Sequence, residues 1–333
     1  MSDHATQIHP PRPGEPAPWF LAATTANPEY AFASVAGRYI LLLFVGAAGG
    51  AAAAAAATAM RALCTEGLLD DTNQCAFLVT LGPLAPDRPK DVIPGLRLLA
   101  DAAGDAYRAY GLLRPAPQGG APLLGLGAFL LDPQLRVMAA CPLERTGELV
   151  AQMRRLPPPD RHAGQETPAP VLLLPRVFES ELCRMLIDYY GTAGAADSGT
   201  MVLRDGKTVG VYDYGQKRRF DCHITDENLQ ATIRGRVSRR LAPEIQKTFQ
   251  FEVTRIERYI IACYDAATRG HFAAHRDNTT PGTAHRRFAV TINLNDDFDG
   301  GDLRFPEFGS RCYRAPAGGA VVFSCSCCMR RRR

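Results

Sequence analysis

The segment Tyr264-Asp265-Ala266-Ala267-Thr268-Arg269-Gly270-His271-Phe272-Ala273-Ala274-His275-Arg276-Asp277 decides how the second half of this chain folds. Its last three residues hold an imidazole and a carboxylate two positions apart, and in an extended strand side chains i and i+2 point to one face. His275 and Asp277 therefore offer a nitrogen and an oxygen to a common point. Around them the sequence reads as short strands broken by Gly, Pro and Asp. Arg255 to Tyr264 precedes the turn that Gly270 permits, and Phe272 supplies an apolar anchor. Phe288 to Leu294, Asp302 to Phe305 and Ala320 to Ser324 follow. The first of these later runs alternates, with Phe288, Val290, Ile292 and Leu294 on one face and Ala289, Thr291 and Asn293 on the other. Such a pattern predicts a double-sheet jelly roll rather than a parallel α/β sheet.

Taken jointly, Tyr264, Gly270, Phe272, His275 and Asp277, the run Thr291-Ile292-Asn293-Leu294-Asn295-Asp296, the run Gly300-Gly301-Asp302-Leu303-Arg304-Phe305 and the stretch Pro316 to Phe323 form a larger pattern. It resembles the prolyl 4-hydroxylase type of Fe(II)/2-oxoglutarate oxygenases over residues 168–326. A reading of His275-Arg276-Asp277 as a kinase catalytic loop fails, because no V-A-I-K lysine or D-F-G follows the required order and Gly282 stands where that loop needs Asn. The resemblance implies a facial triad of two His and one carboxylate, with open positions on Fe(II) for 2-oxoglutarate and O2. By that resemblance His275 and Asp277 are the proximal ligands, Tyr264 faces the 2-oxoglutarate, and ascorbate serves as reductant. The implied reaction is hydroxylation of a C–H bond in a prolyl-like peptide side chain or a small molecule. Arg287 is read either as lining the cleft or as a surface charge.

The resemblance also places a second His, and beyond it a basic residue that clamps the cosubstrate, after a strand like Ala320 to Ser324. The chain reads Ser324-Cys325-Ser326-Cys327-Cys328-Met329 and four arginines there. If Cys327 to Arg331 is encoded TGC TGC ATG AGG CGG, the same bases read from one position earlier give CTG CTG CAT GAG GCG. That is Leu-Leu-His-Glu-Ala, with His at the place of Met329. The expectation is a frameshift, real or introduced in sequencing, that replaced the last strands. The competing readings are a divergent tail and a soft-metal or nucleic-acid patch.

The first half of the chain reads differently. Residues 39–60 carry no charge and are long enough to cross a bilayer. Only Tyr39 to Val45 is strongly apolar, however, so a buried strand followed by an Ala-rich helix to about Cys64 is expected rather than a membrane span. A second buried strand fits Ala76 to Leu81, a helix Pro94 to Tyr110, and a hairpin Ala128 to Ala140 turning at Asp132-Pro133. Strands and helices alternating toward a terminal hairpin are a thioredoxin-like order. With Gly14-Glu15-Pro16-Ala17-Pro18-Trp19-Phe20 and Gly37-Arg38-Tyr39, residues 10–145 resemble the peroxiredoxin branch of that fold. Peroxiredoxins place the attacking Cys at the start of the following helix, where the helix N-terminus and an Arg lower its pKa. This chain has Gly46-Ala47-Ala48-Gly49-Gly50 there. Cys64 falls near the helix end, where the dipole disfavours a thiolate, and Cys75 just precedes a strand, so the fold is expected without the peroxidase chemistry.

Residues 155–170 are proline-rich and aperiodic, a stiff linker between a domain at 1–154 and one at 171–333 that is incomplete at its C-terminus. Val171 to Leu174 opens the second domain as a strand. Helices are expected at Ser180 to Tyr190 and Glu227 to Phe249, the latter carrying Arg234, Arg236, Arg239 and Arg240 on a solvated face. The 38 basic and 34 acidic residues leave a net charge of +4, which equals the contribution of Arg330 to Arg333. No nucleic-acid or membrane partner is therefore expected, and the partner is a peptide or small-molecule substrate. The ten cysteines lack paired spacing and residues 1–18 are polar and proline-rich, which points to free thiols in a reducing cytoplasm. Two other functions stand beside the dioxygenase: a catalytically impaired binding remnant and a thiol-redox protein acting through the first domain.

Overall fold

The computed structural model describes residues 9–25, 27–84, 93–116, 120–204 and 206–331 of the 333-residue chain. The first eight residues of the proline-rich opening and Arg332 and Arg333 of the arginine run lie outside the described residues. Two compact units are formed, residues 1–168 with 306–309, and residues 169–305 with 310–333.

The first unit is organised on Tyr39–Ala47 (β1), buried along all but its last residue. A strand that apolar has to be covered on both faces. It pairs in parallel with Gln74–Leu81 (β2), which pairs in parallel with Leu96–Asp101 (β3). On its other side β1 runs antiparallel to Gly127–Leu131 (β4), which forms a hairpin with Val137–Pro142 (β5). The sheet order is β3-β2-β1-β4-β5. Leu41, Leu43 and Val45 pack with Ala53, Met60 and Leu63 of helix Ala51–Thr65 (α1) and with Leu149 and Met153 of helix Thr146–Met153 (α3). Phe44, on the opposite face, meets the rings of Tyr107, Tyr110 and Phe129 at 4.9, 4.8 and 5.9 Å between centroids. The parallel strands, crossover helix and closing antiparallel hairpin form a thioredoxin-like domain.

Two readings of this unit need correction. Pro94 to Tyr110 is not one helix: Leu96–Asp101 is strand β3, and only Asp105–Ala109 (α2) is helical. The run Leu-Arg-Leu-Leu-Ala gains more as the outer parallel partner of β2 than as a helix. Gly104 at φ +78° turns the chain, and Asp101 accepts the N–H groups of Asp105 and Tyr107. Cys75 sits within β2 rather than before it, opposite Ile40. No helix among the described residues is long and apolar enough to cross a membrane.

The second unit is mainly β with flanking helices. Val171–Leu174 (β6) leads to helix Ser180–Ala193 (α4) and the short strand Ala196–Asp197 (β7). A hairpin of Thr200–Arg204 (β8) and Lys207–Val211 (β9) follows, then Lys217–Arg218 (β10) and Phe220–His223 (β11). Helices Glu227–Arg236 (α5) and Ala242–Phe249 (α6) are joined by one π-type turn at Val237–Leu241. Arg236 and Arg240 reach Glu179 and hold its carboxyl near 2, far below the usual range, chiefly through the Arg240 hydrogen bond. The remaining strands are Ile260–Cys263 (β12), His271–His275 (β13), Phe288–Ile292 (β14), Leu303–Arg304 (β15), Cys312–Tyr313 (β16), Ala320–Ser324 (β17) and Met329–Arg331 (β18).

These strands form an antiparallel sheet β6-β17-β14 and a five-stranded antiparallel sheet β10-β13-β18-β15-β16, and β7-β11-β12 form a separate small sheet. This is the double-sheet jelly roll, and its core gathers Ala320 and Val322 of β17, Leu182 and Leu186 of α4, and Ile233 of α5. The strand expected at Arg255 to Tyr264 shrinks to β12, because no described strand pairs with residues 255–258 and Glu257 is drawn into a bond with Arg286. Asp302 to Phe305 likewise reduces to β15. Val290 is 42% exposed although Phe288 and Ile292 pack inward, since β14 is an edge strand of its sheet.

Candidate metal centre

Gly270 begins the construction of the site. A Cβ there would lie 2.7 Å from Tyr264 Cα and 2.8 Å from Asp265 N, so only glycine lets the chain return this closely on Tyr264. The Gly270 N–H closes the turn on Asp265 O at 2.8 Å. β13 then runs between β10 and β18, with Lys217 opposite Phe272 and Met329 opposite His275.

His275 ends β13 and stacks on Phe272 with 3.5 Å between ring centroids. Its Nδ1 lies 2.7 Å from Ala273 O. A carbonyl only accepts, so Nδ1 carries the proton, and in the neutral ring Nε2 presents a lone pair. Nε2 is buried with no hydrogen-bond partner and lies 3.4 Å from Asp277 Oδ1. That is the tautomer and exposure a metal ligand needs.

Asp277 stands two residues past the strand end yet faces the same point. Its N–H donates to Cys325 O at 3.0 Å, Arg276 donates to Ser326 O, and Asn278 Nδ2 donates to Ser326 Oγ at 2.8 Å. The turn after β17 thus holds the carboxylate in place. Burial works to raise the Asp277 pKa, but the positive charges of Arg286 and Arg219 act against it, and the carboxyl is held below its ordinary range.

The third position is different. Directly opposed residues of an antiparallel pair project on the same face, so the residue facing His275 from β18 is Met329. Among the described residues no group of three His, Cys, Asp or Glu gathers to hold a metal. The donor set fits a hard divalent ion with two of its members. The thioether at the third is a soft and poor partner for Fe(II).

Tyr264 lies between two guanidinium groups, Arg331 at 4.7 Å and Arg219 at 5.8 Å from its ring centroid. Arg219 Nη1 is 3.5 Å from the Tyr264 hydroxyl, and its Nε and Nη2 grip Asp221 at 2.6 and 2.7 Å. Asp221 also accepts Ser198 Oγ at 2.5 Å, and Ser198 Oγ accepts Lys217 Nζ at 2.6 Å. Burial pushes the Lys217 amine down to about 8, with Arg219 adding to the shift. Arg287 is exposed, in keeping with a surface charge.

Residues 259–330 match the model of the 2OG-Fe(II) oxygenase superfamily. The oxygenase match spans β12 to β18 and so includes Tyr264, His275, Asp277 and Met329. No curated protein matches the chain. Among solved structures, the chain is similar to the peroxidoxin BcpB from Mycobacterium tuberculosis, with 18% identity, 44% of this chain and 99% of that one covered, and a TM-score of 0.35. It is also similar to a thiol peroxidase from Chromobacterium violaceum, with 15% identity, 44% and 90% covered, and a TM-score of 0.34.

Sequence reading singled out Tyr264, His275 and Asp277, of which the structure brings His275 and Asp277 to 3.4 Å, and it passed over Arg219 and Arg331, whose guanidinium groups lie against the Tyr264 ring. Arg219 carried one usable signal, its i, i+2 spacing from Asp221. Arg331 carried none, being one arginine in a run of four. In the first unit the thiols of Cys64 and Cys75 are both shifted away from the thiolate. Burial pushes the Cys75 thiol up to about 12, and burial together with Asp71 raises Cys64.

Proposed function

We propose that the oxygenase domain is an Fe(II)- and 2-oxoglutarate-dependent dioxygenase acting on a C–H bond of a peptide side chain or small molecule. The observation that carries this is the open, buried Nε2 of His275 beside the charged carboxylate of Asp277. These two residues would hold the ion, and Tyr264 with the guanidinium groups around it would receive the cosubstrate. The bound metal supplies the oxygen chemistry. The balance is R–H + O2 + 2-oxoglutarate giving R–OH + succinate + CO2, with ascorbate proposed as the accessory reductant. The chain's own part is to fix the imidazole tautomer through Ala273 O, to keep Asp277 ionised, and to shield the pair beneath Phe272.

Met329 opposite His275 supports a second reading of the chain as it stands, a domain that holds iron weakly and turns over poorly. Both readings meet in one experiment. Succinate formation is measured with Fe(II) and 2-oxoglutarate for the full chain and for Met329→His. The variant gains turnover, and adding His275→Ala or Asp277→Ala abolishes it. Equal turnover by Met329→His with and without His275→Ala would remove the assignment.

A further inference from the structure

Two sheets of the second unit end on strands that lie side by side without pairing. β12 closes the sheet β7-β11-β12 and β14 closes β6-β17-β14, and no described strand pairs with the outer edge of either. Both nonetheless cover one core, since Ile261 of β12 and Phe288 and Ile292 of β14 pack with Leu186 of α4 and Ile233 of α5. They are also bridged at both ends. Just before the two strands begin, Arg286 holds Glu257 with two bonds of 2.7 Å. Where they finish, Arg331 donates to Thr291 Oγ1 at 3.2 Å and lies over the Tyr264 ring. β12 and β14 thus run in the same direction with a gap between them.

The ladders show what faces that gap. Cys325 N–H donates to Arg287 O and Asn293 N–H to Gly319 O, so the odd-numbered residues of β14 bond to β17. The N–H and C=O groups of Phe288, Val290 and Ile292 therefore point away from β17. Ile224 N–H donates to Tyr259 O, which by the same alternation turns the backbone groups of Ile260 and Ala262 away from β11. Val290 lies on the core face between Phe288 and Ile292 yet is 42% exposed, so the core is uncovered along this edge. A strand laid between two others sets them about 9.6 Å apart. A glutamate and an arginine meeting end to end span that distance.

We propose that the gap between β12 and β14 is a docking slot for one extended segment of a partner protein, running antiparallel to both walls and carrying acidic residues at its C-terminal end. A second copy of the chain cannot fill it with a sheet edge, because a strand entering between two walls has to be free on both sides. The acidic end follows from charge. An antiparallel segment finishes beside Arg258, His285 and Arg286, which surround the single carboxylate of Glu257. Burial and the charges of Arg286 and Arg219 lower the Arg258 pKa, as a surplus of positive charge does. Backbone pairing gives a docked strand its affinity, and alternate side chains give it specificity.

The test uses the full chain with the fluorescein-labelled peptide Thr-Val-Thr-Val-Thr-Glu-Glu and with the reversed sequence Glu-Glu-Thr-Val-Thr-Val-Thr, titrated by fluorescence anisotropy. The first binds at least about tenfold more tightly than the second. Its binding slows amide exchange at Val290 and Ile292 of β14 and at Ile260 and Ala262 of β12 together. Val290→Pro removes one outward N–H at an edge position, where proline is tolerated, and weakens the first peptide at least about tenfold. Arg258→Glu, which leaves the strands untouched, brings the two peptides level. Circular dichroism establishes that each variant is folded. The proposal is overturned if the wild-type chain binds neither peptide or both alike, or if exchange slows on one strand only. Self-association of the free chain in sedimentation that protects the same amides would also overturn it, by assigning the gap to a second copy.

Discussion

Asp221 is the electrostatic keystone of the second unit, and Asp221→Asn is the perturbation with the most to lose. The carboxylate is 8% exposed, receives both guanidinium nitrogens of Arg219 and the Ser198 hydroxyl, and through Ser198 balances Lys217. Asparagine keeps the shape but removes the charge, leaving two buried cations in one network. Removing one partner of a buried pair costs about 3–5 kcal/mol. Arg219 retains some contact with solvent, at 18% exposure, so the lower end, about 3 kcal/mol, is the expected loss. Urea unfolding followed by circular dichroism reads this as a midpoint lowered by about 1–2 M. The pH dependence gives an independent check. Burial acts to raise the Asp221 pKa, but Arg219, Ser198 and Lys217 outweigh it and hold it below its ordinary value. A group with a depressed folded pKa contributes stability that is present above its unfolded pKa, about 4, and is lost as pH falls through the folded value. The wild-type chain therefore loses stability below about pH 4, and the variant, already without this contribution, loses less. A loss under about 1 kcal/mol at neutral pH, with unchanged acid sensitivity, would refute the reasoning.

Three further outcomes are expected. Gly270→Ala drives a Cβ into the Tyr264 backbone and should cost about 1–3 kcal/mol in thermal unfolding, while loosening His275 and Asp277 enough to lower metal affinity; a variant with wild-type melting and metal binding would show that the turn tolerates a side chain. Phe44→Ala empties the aromatic face of the first unit and should cost about 3–5 kcal/mol in denaturant unfolding. A loss within 1 kcal/mol, on the order of a surface change, would contradict that packing. Replacing Cys64 and Cys75 together with Ser should leave peroxide consumption at its background rate and dimedone labelling of those positions absent, because burial disfavours both thiolates; a rate that falls with either residue would make the first unit a thiol-redox domain.

The parts of this fold legible in the sequence are those fixed by local pattern. The uncharged run from Tyr39 announces β1 and the Ala-rich helix because seven apolar residues followed by Ala can hardly be anything but a buried strand and a close-packed helix. Phe288 to Ile292 and Ala320 to Ser324 declare themselves by alternation and β-branching. Pro94 to Tyr110 misled because Leu96-Arg97-Leu98-Leu99 fits a helical face as well as a strand, and only the parallel edge offered by β2 decides between them. The i, i+2 spacing of His275 and Asp277 was enough to foretell that their side chains meet, at 3.4 Å. The Tyr264 environment was not legible, since Arg219, 45 residues before it between β10 and β11, and Arg331, 67 after it on β18, reach that ring through the order of the sheets alone. Met329 shows the same limit from the other side. Its place as the residue opposite His275 follows from the register of β13 and β18, which no local pattern in the sequence carries.

The central claim is that His275 and Asp277 are two ligands of an iron site whose third position is residue 329. The most direct measurement is anaerobic Fe(II) affinity, by chelator competition, of the full chain and of Met329→His. Losing even an outer partner of a metal ligand costs about 10–100-fold, so gaining the ligand itself should tighten binding by at least about tenfold. That gain should vanish on adding His275→Ala. Iron bound equally by the full chain and by Met329→His, or bound equally with and without His275, would contradict the account.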